Sequence, residues 1–271
     1  MTRTIATLAL PAALLACMIT TSGCKKAPEA PEGDIPGEVG LFGSFIAEEE
    51  ILRPIMQPLI DEGVEYIDSG DDACYRISDL TPCDAMSMCI EGIDPTGVPA
   101  VVHSEVIDAP VLEVERALLH DDWTELFPSN YEEWAISAED GREEYLAGDV
   151  HFFWLQYQAT IDVIGMKASI VTNLQYRRID DWDGEGNPLV IIRGYFPEMP
   201  ATDSENLSMT MNFSWEIMEP IEGGTKTRRL FANWTDLTIG TLTTDDAFNI
   251  ACGQSKSSWD DLADWLEENP G

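Results

Sequence analysis

Positive charge is scarce in this chain: its 271 residues carry 15 Lys and Arg against 50 Asp and Glu, a formal charge of −35. Polyphosphates and anionic bilayer surfaces are repelled by such a balance, which excludes nucleic-acid binding as a function class. Histidine is limited to His103, His120 and His151, and the cysteines, Cys17, Cys24, Cys74, Cys83, Cys89 and Cys252, contain no C-x-x-C pair. Neither a His-rich metal centre, a zinc motif nor a dithiol redox motif can therefore be read. There is no G-x-S-x-G elbow, the strand-to-helix turn that exposes the serine of many hydrolases. His103 and His151 fall in strand patterns and His120 near a helix end, so all three read as structural, and the sequence assigns no catalytic residue, cofactor or metal. No apolar run reaches the roughly 20 residues that a membrane-crossing helix needs.

What is present begins at the N-terminus. Residues 1–23 read as an export signal: Arg3, a mostly apolar run from Ile5 to Ile19, then small residues before Cys24 and the pair Lys25-Lys26. Ser22-Gly23-Cys24 resembles the lipobox of bacterial lipoproteins, in which the cysteine is acylated and becomes the mature N-terminus. Thr21 departs from the Leu usual at that place, and Leu14-Leu15-Ala16-Cys17 is a second candidate; Cys24 is preferred because cleavage at Cys17 would leave Met18-Ile19 beyond the anchor. Residues 24–37 hold three prolines and no apolar periodicity and read as a tether, about 40 Å long at roughly 3.1 Å per extended residue. The resemblance implies export and anchoring to a bacterial membrane, on the periplasmic or cell-surface side, since multiple acylation holds stably where one chain does not.

Export gives the remaining cysteines a compartment that permits oxidation. Four cysteines allow three pairings. Cys83 with Cys89, close in sequence, is the first expectation and Cys74 with Cys252 follows from it; four reduced, buried thiols are the alternative.

Residues 38–98 read as a helical, cysteine-containing extension. Leu41, Phe42, Phe45, Ile46, Leu52, Ile55, Met56, Leu59, Ile60 and Val64 recur at helical spacing, with Pro54 ending one helix and opening the next. Asp68 to Pro99 has no periodicity and reads as loop, bridged or functional. From Pro99 the pattern changes to a strand over 99–107, a helix opened by Ala109-Pro110 and running to Leu119, and a short helix over 122–127. Strands follow at about 131–138, 150–164, 166–179, 189–196, 207–219 and 225–238. A final helix from about Asp245 to Glu268 puts Phe248, Ala251, Cys252, Ser255, Trp259, Leu262 and Leu266 on one face.

This order, with the stretch Val106-Ile107-Asp108-Ala109-Pro110 through Val114, Trp123, Phe127 and Pro128, resembles the START-like (SRPBCC) superfamily of lipid-transfer domains, polyketide cyclases and plant Bet v 1-type proteins. Leu112 and Glu115 depart from that pattern, standing where an acidic and an aromatic residue are common. The resemblance covers about 170 residues, 99–271. It implies an α+β helix-grip fold, a curved antiparallel sheet around a long C-terminal helix, with a cavity between them for a hydrophobic small molecule or lipid.

Alternation along the strands names the candidate lining. The apolar sets are Phe153, Leu155, Tyr157 and Ile161; Ile170 and Leu174; Met209, Met211 and Phe213; and Leu230 and Trp234, with the outer sheet face expected to be polar. These residues either pack on the terminal helix as a filled core or line a space. Tyr157, Tyr176 and Arg193 are the nominal polar groups should a cyclase-like enzyme be present. The acidic loop Asp180–Asn187 reads as a hairpin turn rather than a calcium site. The expectation is a membrane-tethered binder of a hydrophobic small molecule or lipid. The alternatives are a filled interaction module contacting another envelope protein through residues 38–98, or an enzyme.

Overall fold

The computed structural model describes residues 98–269, Cys74–Asp79, and positions 49, 50, 52–54, 56, 57, 60 and 61. The export signal, Cys24, the tether and Cys83 and Cys89 lie outside the described residues. The elements are β1 (Tyr75–Asp79), β2 (Pro99–Ile107), α1 (Val111–Leu118), α2 (Trp123–Leu126), β3 (Tyr131–Asp140), α3 (Arg142–Ala147), β4 (Phe152–Val163), β5 (Met166–Ile179), β6 (Leu189–Tyr195), β7 (Ala201–Thr202), β8 (Leu207–Ile221), β9 (Lys226–Ile239) and α4 (Thr244–Glu268).

The strands form one antiparallel sheet in the order β1-β2-β9-β8-β6-β5-β4-β3, with β7 paired to β5. It curves around α4, which packs on β2, β9, α1 and α2. This is a helix-grip fold. Proline sets φ at the N-cap of α1, where its missing N–H is no loss. Helix α4 starts at a reciprocal capping box, in which the Thr243 hydroxyl accepts from the Asp246 N–H and the Asp246 carboxylate accepts from the Thr243 N–H. Phe248, Trp259 and Leu262 are the buried apolar positions of its inward face.

Three elements differ from the sequence expectation. Residues 75–79, expected in a loop, form β1 and pair with β2 at the sheet edge. The five-residue Tyr-Arg-Ile-Ser-Asp segment is too short for alternation to stand out from its Asp- and Gly-rich surroundings. Helix α3, unforeseen, is bounded by Gly141 and Gly148, both left-handed with φ of 84° and 80°. It buries Tyr145, whose hydroxyl donates to Glu115 of α1; Arg178 of β5 donates to the same carboxylate. Burial raises the Glu115 pKa despite the opposing pull of Arg178 and of the Tyr145 and Arg178 hydrogen bonds. The two-residue β7 was also unforeseen.

The larger departure is that both faces of the sheet are buried along β2, β6, β8 and β9. One face, with α1 and α4, holds Val114, Leu118, Phe153, Leu155, Tyr176 and Trp259 among its buried residues. The other packs Met211, Phe213, Trp215, Ile217, Leu230 and Trp234 against Leu52, Met56 and Ile60, which are helical positions of the N-terminal segment. The outer face was expected to be polar: over most of β4 and β5 it is, with Gln158, Lys167 and Ser169 exposed, whereas under the N-terminal layer it is apolar. Each buried Leu, Ile, Met or Phe side chain contributes about 1.5–3 kcal/mol relative to exposure.

A β-bulge decides which residues face α4. In the β8/β9 ladder Met209 pairs with Leu237 but Met211 pairs with Asp236, leaving Thr210 unpaired, its hydroxyl donating to Asp236. One extra residue reverses side-chain parity. Leu207 and Met209 face α4 before the bulge; Asn212, Ser214, Glu216 and Met218 do so after it.

Cys74 and Cys252 are disulfide-bonded, with Cα atoms 6.0 Å apart. The bond ties the residue preceding β1 to the first half of α4.

Candidate functional site: a two-sided cavity under the C-terminal helix

A cavity of about 220 Å³ lies between the sheet and α4. Its lining is mainly apolar and aromatic toward one end and mainly polar toward the other. Under β4, β5 and β6 the lining is Tyr157, Ile161, Ile170, Thr172, Leu174, Tyr176 and Ile192, extended by Phe196, by Met209 of β8 and by Leu237 of β9. Trp123, Phe127 and Tyr131 close that side. Trp134 is sandwiched behind them, stacked on Trp123 at 4.3 Å and on Tyr157 at 3.8 Å between ring centroids. Burial pushes the phenols of Tyr131, Tyr157 and Tyr176 up, so they are neutral hydroxyls rather than bases near neutral pH.

Under β8 and β9 the lining turns polar: Asn212, Ser214 and Glu216 from one strand, Arg229, Asn233 and Thr235 from the other, with Gln254, Ser255 and Ser258 of α4 opposite. Glu216 holds Arg229 in a bidentate pair, accepting from Nε at 2.9 Å and from Nη2 at 3.1 Å. The guanidinium lies 4.4 Å from the ring centroid of Phe231 and 4.4 Å from the Trp259 ring. Its Nη1 has no hydrogen-bond partner among the described residues. Asn212 Nδ2 donates to Asn233 Oδ1 at 2.6 Å and to Thr235 Oγ1 at 2.7 Å.

Ser255 Oγ and His103 Nε2 are 2.5 Å apart, joining α4 to β2. Burial, then the nearby Arg229 and Lys256, hold the imidazole pKa well below its usual value, so His103 is neutral. Glu105 Oε1 lies 3.6 Å from His103 Nδ1, longer than a hydrogen bond, and the imidazole is a weak proton acceptor. The pair is a tie between elements rather than an activated nucleophile. Gly194 of β6 also shapes the wall: a Cβ there would stand 2.8 Å from Ser214 Oγ and 2.9 Å from Leu174 Cδ2. Any larger residue there would require Ser214 and Leu174 to shift.

Of the residues selected from alternation, Tyr157, Ile161, Ile170, Leu174 and Met209 line the cavity. Phe153 and Leu155 face the same way but are buried in the solid core, Phe153 stacked on Tyr176 at 4.7 Å. Met211, Phe213, Leu230 and Trp234 are on the opposite face, against the N-terminal layer. They were misplaced for two reasons: the bulge at Thr210 reverses parity, and in β9 it is Arg229, Phe231, Asn233 and Thr235 that face the cavity. The cyclase candidates divide as well. Tyr157 and Tyr176 line the cavity, whereas Arg193 is outside it, its Nε donating to Gln175 and its pKa lowered by burial to about 10.

The polar side was missed altogether. One signal for it was present in the sequence: the N-terminal amphipathic stretch needs an apolar partner, and the greasier registers of β8 and β9 are the surface available.

Loop Asp180–Asn187 joins the antiparallel pair β5 and β6. Asp183 accepts from the Glu185 and Asn187 backbone N–H groups, and Arg53 donates to the Trp182 carbonyl at 3.2 Å. Among the described residues no group of three or more His, Cys, Asp or Glu is placed to hold a metal ion, and no helix is long and apolar enough to cross a membrane.

No family model matches the chain, and no curated protein matches it. Solved structures similar to it include a START superfamily protein from Mycobacterium smegmatis, at 11% identity over 62% of this chain and 97% of that one, TM-score 0.46. A protein from Thermus thermophilus is similar at 17% identity over 64% and 100%, TM-score 0.46. The Zhui aromatase/cyclase from a Streptomyces species is similar at 15% identity over 62% and 93%, TM-score 0.37.

Proposed function

We propose that the chain is an exported lipoprotein whose helix-grip domain binds a hydrophobic small molecule or lipid at the cell envelope. The observation that supports this reading is the cavity of about 220 Å³ beneath α4. A concave space lined by apolar and aromatic side chains together with convergent polar groups is the usual form of a small-molecule site, whereas a scaffold serving only as an interaction surface gains by filling its core. Each methylene a ligand buries there contributes about 0.8 kcal/mol before ordering costs. Anchoring through Cys24, with the tether of residues 24–37, would place the cavity beside a membrane that supplies or receives such a ligand.

Binding is tested with an environment-sensitive apolar fluorophore. The full chain is expected to take up the probe saturably, and Ser214→Phe, which fills the cavity while the melting transition is retained, is expected to reduce uptake at least tenfold. A native chain that takes up no probe contradicts the reading. Export is tested separately: radiolabelled palmitate should enter the native chain and not Cys24→Ser, and equal labelling of both contradicts anchoring at that cysteine.

A further inference from the structure

The cavity's division into an apolar side and a polar side carries an inference about ligand class, which rests on the binding function proposed above. The five strands β9, β8, β6, β5 and β4 span about 19 Å at roughly 4.8 Å between neighbours. Across that distance the lining passes from Arg229, Glu216 and Asn233 to Ile192, Leu174 and Ile161. An entirely apolar guest would leave Arg229 Nη1, which has no partner among the described residues, desolvated and unmet, a cost of about 1–3 kcal/mol for such a group. A guest with one polar end matches both sides.

The charge state of that end follows from the Glu216–Arg229 pair. Glu216 accepts from two donors of the guanidinium, so the buried charges are already balanced. The rings of Phe231 and Trp259, each 4.4 Å away, restrain the guanidinium from swinging toward a second anion. A carboxylate or phosphate brought here would be an uncompensated buried charge beside Glu216, costly in a low-dielectric site. The chain's net charge of −35 opposes its approach as well. What remains on offer is hydrogen bonding: Arg229 Nη1, without a partner among the described residues, Ser214 and Asn233 on the sheet, and Ser255 facing them from α4. Ser255 is backed by the neutral imidazole of His103.

We infer that the ligand is an uncharged amphiphile, a hydrocarbon carrying a hydroxyl or carbonyl oxygen. Its oxygen lies under β8 and β9 beside Arg229, and its tail runs across the strands toward Trp123 and Ile161. The Glu216–Arg229 pair acts as a selectivity filter that admits neutral oxygen and rejects carboxylate.

The test is displacement of the bound fluorophore from the purified full chain at pH 8 by 1-dodecanol, dodecanoate and dodecane, three guests that share a tail. Dodecanol is expected to displace the probe at concentrations at least tenfold lower than dodecanoate or dodecane. In Glu216→Gln, which frees the guanidinium charge, the preference should move toward dodecanoate by tenfold or more. Dodecanoate competing as well as dodecanol on the native chain overturns the proposal. So does equal competition by dodecane and dodecanol, in which case the polar side is not read and the binding function survives. The native-chain comparison needs no substitution and decides the matter even if Glu216→Gln does not fold. Failure of the native chain to take up any probe is a different result, and contradicts the binding function itself.

Discussion

At the scale of single residues, the cavity depends on buried polar groups that have been given partners. His103 is 1% exposed and is held neutral by burial. Its lowered folded-state pKa makes stability pH-dependent, with the sign fixed by linkage. Below about pH 6.5 the unfolded imidazole binds a proton that the folded one resists, so stability is complete above that pH and is lost as the pH falls through the range below it. Urea unfolding at pH 7.5 and pH 5.5 should show lower stability at the lower pH, and in His103→Gln the difference should shrink. An unchanged difference would show that other groups carry it. The polar residues of the cavity were the least legible part of the sequence, because Asn212, Ser214 and Glu216 look like the solvent side of an ordinary alternating strand. Their inward placement follows from a single unpaired residue, Thr210, which alternation does not reveal.

At the scale of elements, legibility tracked length and regularity. Strands β4, β5 and β9 and helix α4 stood out because each sustains its period over 12 residues or more. Elements β1, β7 and α3, of two to six residues, carry too little period to be seen from sequence, whereas the four-residue α2 was read to within a residue at each end. Strand β8, the fifteen-residue element with the bulge, was found, and its inner face was assigned correctly as far as Met209 and wrongly from Met211 onward. That correction reverses the meaning of a substitution. Met211 is 2% exposed on the face toward the N-terminal layer, so Met211→Arg buries a cation among Leu52, Met56 and Trp234. It should cost on the order of 4 kcal/mol or more, read as loss of the cooperative melting transition rather than as selective loss of ligand. A variant that melts normally but binds no probe would return Met211 to the cavity. Helix α4 depends in addition on its disulfide. Cys74 and Cys252 are separated by 178 residues, and in the chain-entropy view a loop of that length is worth about 5 kcal/mol. Cys252→Ser, or reduction of the native chain, should lower the melting temperature by ten degrees or more; an unchanged transition would mean that the bond adds nothing to stability.

At the scale of the whole molecule, the described residues form three layers: helical positions between 49 and 61, the sheet, and α4 with α1. A two-layer expectation could be drawn from residues 99–271 alone, but it left the apolar stretch around Leu52, Met56 and Ile60 without a surface to cover. Once that stretch is laid against Trp215 and Trp234, the inner registers of β8 and β9 are released from core duty and can be polar. The polar lining of the cavity is therefore tied to Leu52, Met56 and Ile60 on the far face of the sheet, outside residues 99–271. Native mass spectrometry of the protein purified from an exporting host, released intact from mild detergent, tests whether that space is used. Binding predicts the mature polypeptide plus a discrete hydrophobic adduct that organic extraction removes. The bare polypeptide mass, unchanged after incubation with host lipid extract, would contradict it.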